Sequence, residues 1–179
     1  MKYAAIMGND VLDGFHGTTV SFWTQGCPFH CKGCHNAHTW DFNGGIEDDV
    51  EHIISIIKEK LVANGVQRDF SVLGGEPLCD ENFENVLHII ASVRKDYPTI
   101  TIAVWTGYTL EDLYKRFMGK RKSEELKRFL GMIDILIDGP YKEELRNVDL
   151  PYRGSSNQRV LKKSMFRLFL EDMNSNQNQ

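Results

Sequence analysis

The chain has little that would send it into a membrane, out of the cell or onto a nucleic acid. No apolar run approaches the roughly 20 residues of a membrane-spanning helix. Met1–Asp10 lacks the charged-then-apolar order of a secretory leader. Basic charge is not in excess: 21 Lys and Arg face 25 Asp and Glu, a formal net charge of −4. That balance argues against a nucleic-acid partner. The expectation is a cytoplasmic protein with no membrane or nucleic-acid role. Cysteine is scarce too, four in 179 residues. A reducing compartment disfavours disulfides, so clustered cysteines there read as ligands. Cys79 stands apart from the others and reads as a small buried hydrophobe. Internal repeats and linker-like stretches are absent, which predicts one domain over residues 1–173. The last residues, Asn174–Gln179, have the composition of a disordered tail.

What is present is an alternation of strand and helix signals. Val20–Thr24, Asp69–Leu73, Ile100–Trp105 and Ile133–Ile137 read as short β-branched or apolar strands. Between them, Ile46–Asn64 and Asp80–Asp96 carry apolar residues at spacings of three and four, the mark of amphipathic helices. Thr109 with Asp112 three residues on predicts a capped start to a third helix. Lys120–Lys127 reads as a solvated helix face, and Asn147–Arg159 as polar and turn-rich. Such alternation predicts an α/β fold with a parallel sheet built from right-handed βαβ units. Parallel sheets of this kind bind ligands beyond the carboxyl ends of their strands. Four motifs follow predicted strands: the cysteine loop, Gly74-Gly75-Glu76-Pro77, Trp105-Thr106-Gly107-Tyr108 and Asp138-Gly139-Pro140. They are expected to meet at one rim.

The cysteine loop carries the most chemistry. Cys27, Cys31 and Cys34 follow a C-x3-C-x2-C spacing, short enough to wrap one metal centre. Soft thiolates suit iron–sulfur clusters and zinc. A 4Fe–4S cube held by three cysteines keeps one iron free of protein thiolate, open to a substrate. The other reading is a zinc site completed by His30, His35 or His38, although no second cysteine pair accompanies it. Gly74 and Gly75 leave backbone within close reach of a ligand, and Glu76 could accept from an ammonium group; a plain turn is the alternative. Asp138 ends an apolar strand, where an unpaired carboxylate is costly. It could hold a cation, bond a ribose or cap the next turn.

Together these motifs resemble the glycyl-radical-enzyme activases of the radical S-adenosylmethionine superfamily. Asp13-Gly14-Phe15-His16-Gly17 is similar to the entry segment of activases. The three cysteines with His35-Asn36 and Thr39-Trp40 are similar to the cluster motif, and Gly74-Gly75-Glu76-Pro77 to the segment that meets the methionyl amino group. Trp105–Tyr108 and Tyr152–Gln158 resemble the branch that serves anaerobic ribonucleoside-triphosphate reductases. The likeness runs from about Tyr3 to Arg159. Two departures stand out: Gly33 occupies a position that is aromatic in most of the superfamily, and the middle of the chain and Val160–Gln179 are longer than in compact members.

The resemblance implies a partial, open parallel β/α barrel. It implies a 4Fe–4S cluster on Cys27, Cys31 and Cys34, reduced by flavodoxin or another donor. S-adenosylmethionine would lie along Gly33, Cys34 and His35 on its adenine side, and along Gly74, Gly75 and Glu76 on its amino side. Thr106 and Asp138 would engage the ribose or a cation near the carboxylate. The reductively formed 5′-deoxyadenosyl radical would take a hydrogen from a glycine of the large reductase subunit. The Arg153–Gln158 loop is a candidate cofactor or partner contact, or else a hydrogen-bonded turn. Two alternatives stay open here: an activase for another glycyl radical enzyme such as pyruvate formate-lyase, and a non-catalytic zinc module.

Overall fold

A computed structural model describes residues 1–175. Its centre is four parallel strands: β2 (Thr19–Thr24), β4 (Asp69–Gly74), β5 (Ile102–Trp105) and β6 (Ile135–Asp138). Antiparallel strands flank them, β1 (Lys2–Asp10) and β3 (Ile46–Glu47) on one side and β7 (Arg159–Lys162) on the other. The order across the sheet is β3-β1-β2-β4-β5-β6-β7, and it does not close on itself.

Strand alternation sorts the side chains between two faces. Val20, Phe22, Phe70, Val72, Ile102, Val104 and Leu136 join the main core. Against them pack α1 (Val50–Leu61), α2 (Phe83–Asp96), α3 (Leu110–Arg116), α4 (Lys120–Met132) and α5 (Lys163–Ser175). Phe22 and Phe70 are fully buried, each contributing about 1.5–3 kcal/mol of apolar burial. The other face carries Ser21, Trp23, Ser71, Leu73, Ala103, Trp105, Ile135 and Ile137. Most of that face is buried as well, with Phe15 and Tyr152 packed over Ala103, Ile135 and Ile137, while Trp23 and Trp105 are half-buried. With α1–α5 packed into the main core, Trp23, Leu73 and Trp105 of the other face border a cavity at the strand ends.

Helix starts obey local chemistry. The Thr109–Asp112 capping box forms as its spacing predicts. The helix expected from Ile46 begins instead at Val50, where the Asp49 carboxylate accepts from Glu51 N–H. Ile46–Glu47 is drawn off as β3 because it pairs with Lys2 and Tyr3, and Asp48 N–H donates to Met1 O at 3.0 Å. Likewise α2 starts at Phe83, later than Asp80. Asn174 and Ser175, read as the start of a tail, complete α5, and 176–179 lie outside the described residues. No helix among the described residues is long and apolar enough to cross a membrane.

Candidate functional site

At the carboxyl ends of β2, β4, β5 and β6 lies a cavity of about 350 Å³, within the size range of small-molecule sites. Cys27, Cys31, Cys34, His35, Gly74, Gly75, Glu76 and Thr106 all line it. Gly139 of the fourth motif does so as well. Two expected residues do not line it: Asp138, and Gly33, which is exposed on the cysteine loop.

The cysteine loop leaves β2 through Gly26, whose N–H donates to Thr39 O at 2.8 Å, while Cys27 N–H donates to Trp40 O at 3.0 Å. These bonds close the loop on itself. Gln25 ties it further, its amide donating to Asp41 O at 2.8 Å. Phe29 sits edge-on to Tyr108 at 4.7 Å, and a Cβ on Gly107 would strike the Phe29 ring. The Gly of Trp-Thr-Gly-Tyr is therefore needed for packing against the cysteine loop. Burial pushes the Cys27 thiol up to about 11 and raises Cys31 as well, the latter helped by Cys34. Such thiols ionise only when a cation takes the proton's place. A backbone N–H already faces one of the sulfurs: Asn36 N–H donates to Cys34 Sγ at 3.4 Å.

Glu76 differs from its expected part. It lines the cavity but is almost fully buried, and protein groups use its carboxylate. Oε1 accepts from Leu78 N–H at 2.9 Å and from the Thr106 hydroxyl at 2.7 Å, and Oε2 accepts from Gly107 N–H at 2.7 Å. Burial pushes its carboxyl up to about 7, against the pull of those three donors. Thr106 is consumed in the same node, since its hydroxyl also accepts from Tyr108 N–H at 3.2 Å. Glu76 and Thr106 thus lock the β4–α2 and β5–α3 loops together. Gly75 is fixed by its neighbour: its N–H donates to Thr24 O at 2.9 Å, and a Cβ would land on the Gly26 carbonyl.

Of the three uses open to Asp138 in the sequence, the structure shows a cation partner and a helix cap, away from the cavity. Asp138 is fully buried, caps α3 by accepting from Leu110 N–H at 2.8 Å, and takes a forked bond from Arg159. Its cation is therefore internal, and no face is left for a ribose. The strand β7 that brings Arg159 to it had no period-two signal long enough to announce it.

Several lining residues escaped the sequence reading as site residues. Asp13 is pushed up to about 7 by burial and by the charge and hydrogen bond of Asp10. Asp10 is held low: burial opposes this, but the Ser21 hydroxyl and the N–H groups of Leu12 and Asp13 prevail. Of the wall residues, the Trp105 indole donates to Tyr152 O at 2.7 Å, and Phe15, which does not line the cavity, stacks on Tyr152 at 3.9 Å. Tyr152 adopts φ +64 in this arrangement. Trp40 lines the cavity, as does Arg153 of the loop expected as a cofactor or partner contact, and each keeps a buried nitrogen without a protein partner, Trp40 Nε1 and Arg153 Nε. Unpaired buried donors are rare, and these two sit at a ligand wall. Among the described residues no trio of His, Cys, Asp or Glu converges on a single-ion site. Three soft sulfurs on the wall of one cavity are the donor set that an iron–sulfur cluster takes.

Comparison with known proteins agrees with this geometry. A family model described as a 4Fe-4S single cluster domain matches residues 12–161, and that is the class the cysteine loop defines. Curated relatives narrow it. The anaerobic ribonucleoside-triphosphate reductase-activating protein of Haemophilus influenzae is 34% identical over 161 residues, covering 88% of this chain and 96% of the relative. The protein of that name from Escherichia coli K12 is 30% identical over 166 residues, covering 89% and 97%. That of phage T4 is 29% identical over 163 residues, covering 89% and 93%. The chain belongs to the family of anaerobic ribonucleoside-triphosphate reductase-activating proteins.

Proposed function

We propose that this protein is a radical S-adenosylmethionine activase that places a glycyl radical on the large subunit of an anaerobic ribonucleoside-triphosphate reductase. The observation that carries the reading is the meeting of Cys27, Cys31 and Cys34 with Gly74 and Gly75 around one cavity. The four-strand parallel centre, with its helices in one core and its motifs at the strand ends, suits a partial, open β/α barrel of the radical S-adenosylmethionine type.

In this reading Cys27, Cys31 and Cys34 hold a 4Fe–4S cluster. When bound, that cluster supplies the electron that splits S-adenosylmethionine, and the radical so formed takes the glycine hydrogen. The chain's own part is placement and exclusion of water. Backbone at Gly74 and Gly75 approaches the amino group. Glu76 acts from behind, holding that backbone through Leu78, Thr106 and Gly107. His35 and backbone near Gly33 and Cys34 face the adenine side. Arg153, with its unpaired Nε, is assigned to the methionyl carboxylate, a pairing that suits a guanidinium. Tyr152, backed by the stacked Phe15, contributes apolar surface to the wall. Flavodoxin or another low-potential donor supplies electrons.

The test is anaerobic loading with iron and sulfide, then incubation with S-adenosylmethionine, a reductant and the large reductase subunit. The expected results are a brown protein, release of 5′-deoxyadenosine, and a glycyl doublet by electron paramagnetic resonance. Cofactor cleavage without that doublet would move the assignment to another glycyl radical enzyme. A colourless protein holding a single zinc would end it.

A further inference from the structure

Tyr141 lines the cavity together with Cys34, His35 and Asn36, yet it does not belong to the cysteine loop. It comes from a strap that follows β6, residues 139–147. Two missing side chains make room for it. Gly33 has φ +76, and a Cβ there would fall 1.9 Å from Glu143 Oε2, so the Glu143 carboxylate packs directly on the Gly33 backbone. The Tyr141 hydroxyl donates to that same Oε2 at 2.5 Å. On the strap's other side a Cβ on Gly154 would press on Cδ2 and Cε2 of the Tyr141 ring at 3.1 Å. The ring is therefore pinned at its tip by Glu143 and along one edge by Gly154.

The strap itself cannot swing, because it is sewn to the polar Gly154–Gln158 segment. Lys142 N–H donates to Ser155 Oγ at 3.2 Å, Ser156 N–H to Leu145 O at 2.9 Å, and Asn147 N–H to Gly154 O at 3.1 Å. Asn157 donates to Pro140 O at 2.8 Å and Gln158 to Gly139 O at 3.1 Å. Tyrosine usually buries its ring and wets its hydroxyl. Here the hydroxyl is spent on a protein carboxylate, while the ring, half-buried, stands on the cavity wall. Its ring neighbour His35 is tilted 67° to it at 6.3 Å, so the two do not stack. A rigid aromatic surface of this kind suits a flat aromatic ligand, which loses little freedom by pairing with it.

We propose that Tyr141 is a cofactor-contact residue that presents its ring to the adenine of S-adenosylmethionine, and that Glu143 is the positioning residue that sets the angle of that ring. Residue 33 has no side chain because Glu143 occupies its place, and the strap thereby supplies from β6 an aromatic wall that the cysteine loop does not carry at that point.

The inference rests on the cavity taking S-adenosylmethionine with its adenine beside His35, and its test separates the two. Protein loaded with iron and sulfide is dialysed anaerobically against S-adenosylmethionine and, separately, against methionine, which has no base. Stacking of a base on an aromatic side chain carries roughly tenfold to a hundredfold in affinity. Tyr141→Leu should therefore bind S-adenosylmethionine at least about tenfold more weakly, yet bind methionine nearly as wild type does. Tyr141→Phe keeps the ring and should recover most of the loss. Glu143→Ala frees the ring and should lose part of the affinity, and Glu143→Gln, which keeps an acceptor for the hydroxyl, should restore it. Protein grown with 3-fluorotyrosine gives a reading that needs no leucine variant. The ¹⁹F signal missing from Tyr141→Phe belongs to residue 141, and it should move on adding S-adenosylmethionine but not on adding methionine. An unmoved signal, equal losses for the two ligands in Tyr141→Leu, or a Tyr141→Phe protein as weak as Tyr141→Leu overturns the inference and leaves the cofactor reading standing. Loaded wild-type protein that binds no S-adenosylmethionine overturns both.

Discussion

Arg159 donates to both oxygens of Asp138, from Nε at 2.8 Å and Nη2 at 2.5 Å, tying the antiparallel strand β7 to the end of β6. The same guanidinium holds Glu111 at 2.7 and 3.0 Å, which pulls the Glu111 carboxyl down to about 2. Asp138→Ala strips an acceptor from Leu110 N–H and half the partners from Arg159, so the expected loss is roughly 3 kcal/mol, at the low end for a broken buried pair. Denaturant unfolding measures it. Affinity for S-adenosylmethionine in the folded, loaded fraction should stay within a few-fold of wild type. A variant of normal stability that no longer binds the cofactor would return Asp138 to the ligand site.

Glu76 predicts a pH signature. Its folded-state carboxyl sits at about 7 against an ordinary 4.5. Below 4.5 both states are protonated and nothing is lost. Between 4.5 and about 7 the unfolded chain ionises first, so the folded state binds more protons and stability falls as pH rises. Above 7 the loss is complete, on the order of 3 kcal/mol for a shift of this size. Glu76→Gln abolishes this slope but sets an amide NH2 against Gly107 N–H, costing about 1–3 kcal/mol for the unmet donor. Unfolding midpoints of the two proteins across pH 4.5–8, in the absence of cluster, give the comparison. Parallel curves would show that Glu76 does not titrate in this range.

Much of this arrangement was legible in the sequence, and the reasons for the rest are physical. The four parallel strands and the Thr109 cap announce themselves because their signals are local: a β-branched run, or a capping pair three residues apart. The edge strands β1 and β7 do not, because an antiparallel edge is defined by what it pairs with. The chain Lys2–Asp10 buries only Tyr3 and Asp10 and shows no regular alternation. At the site, Cys27, Cys31, Cys34, Gly74 and Gly75 are legible because spacing and missing side chains carry their meaning. Glu76, Thr106 and Asp138 were placed near a ligand by the same logic, yet their oxygens are spent on Leu78, Gly107, Tyr108 and Arg159. Nothing in a linear sequence shows which donors a carboxylate will meet across a sheet.

Both glycines of Gly-Gly-Glu-Pro are sterically held, Gly74 at φ +103 against the Thr24 backbone and Gly75 against the Gly26 backbone, and the second gives the cleaner test. A Cβ at Gly75 meets the backbone of Gly26, which cannot rotate away as a side chain would. Gly75→Ala must also stretch the bond from Glu76 N–H to Gly26 O, now 2.8 Å. The cysteine loop and the glycine loop should part. We expect cluster content near wild type, since the three sulfurs remain, but S-adenosylmethionine affinity at least tenfold weaker, about 1.4 kcal/mol. Equilibrium dialysis under anaerobic conditions measures it. Undiminished affinity would show that the two loops need not touch to bind the cofactor.

Arg153 offers the sharpest separation of binding from folding. Its Nη1 donates to Gln158 O at 2.8 Å, while its buried Nε has no protein partner. Arg153→Ala therefore removes one internal hydrogen bond, worth about 1 kcal/mol, and should unfold only slightly earlier. If the free nitrogen meets the carboxylate of S-adenosylmethionine, the loss in affinity should be larger, tenfold to a hundredfold, or about 1.4–2.8 kcal/mol. Arg153→Lys keeps the charge but not the planar fork, and should recover only part of that loss. A cofactor analogue lacking the carboxylate supplies the control: its affinity should be nearly the same in wild type and Arg153→Ala. Equal losses for analogue and cofactor would place Arg153 in the cavity wall, with no bond to that group.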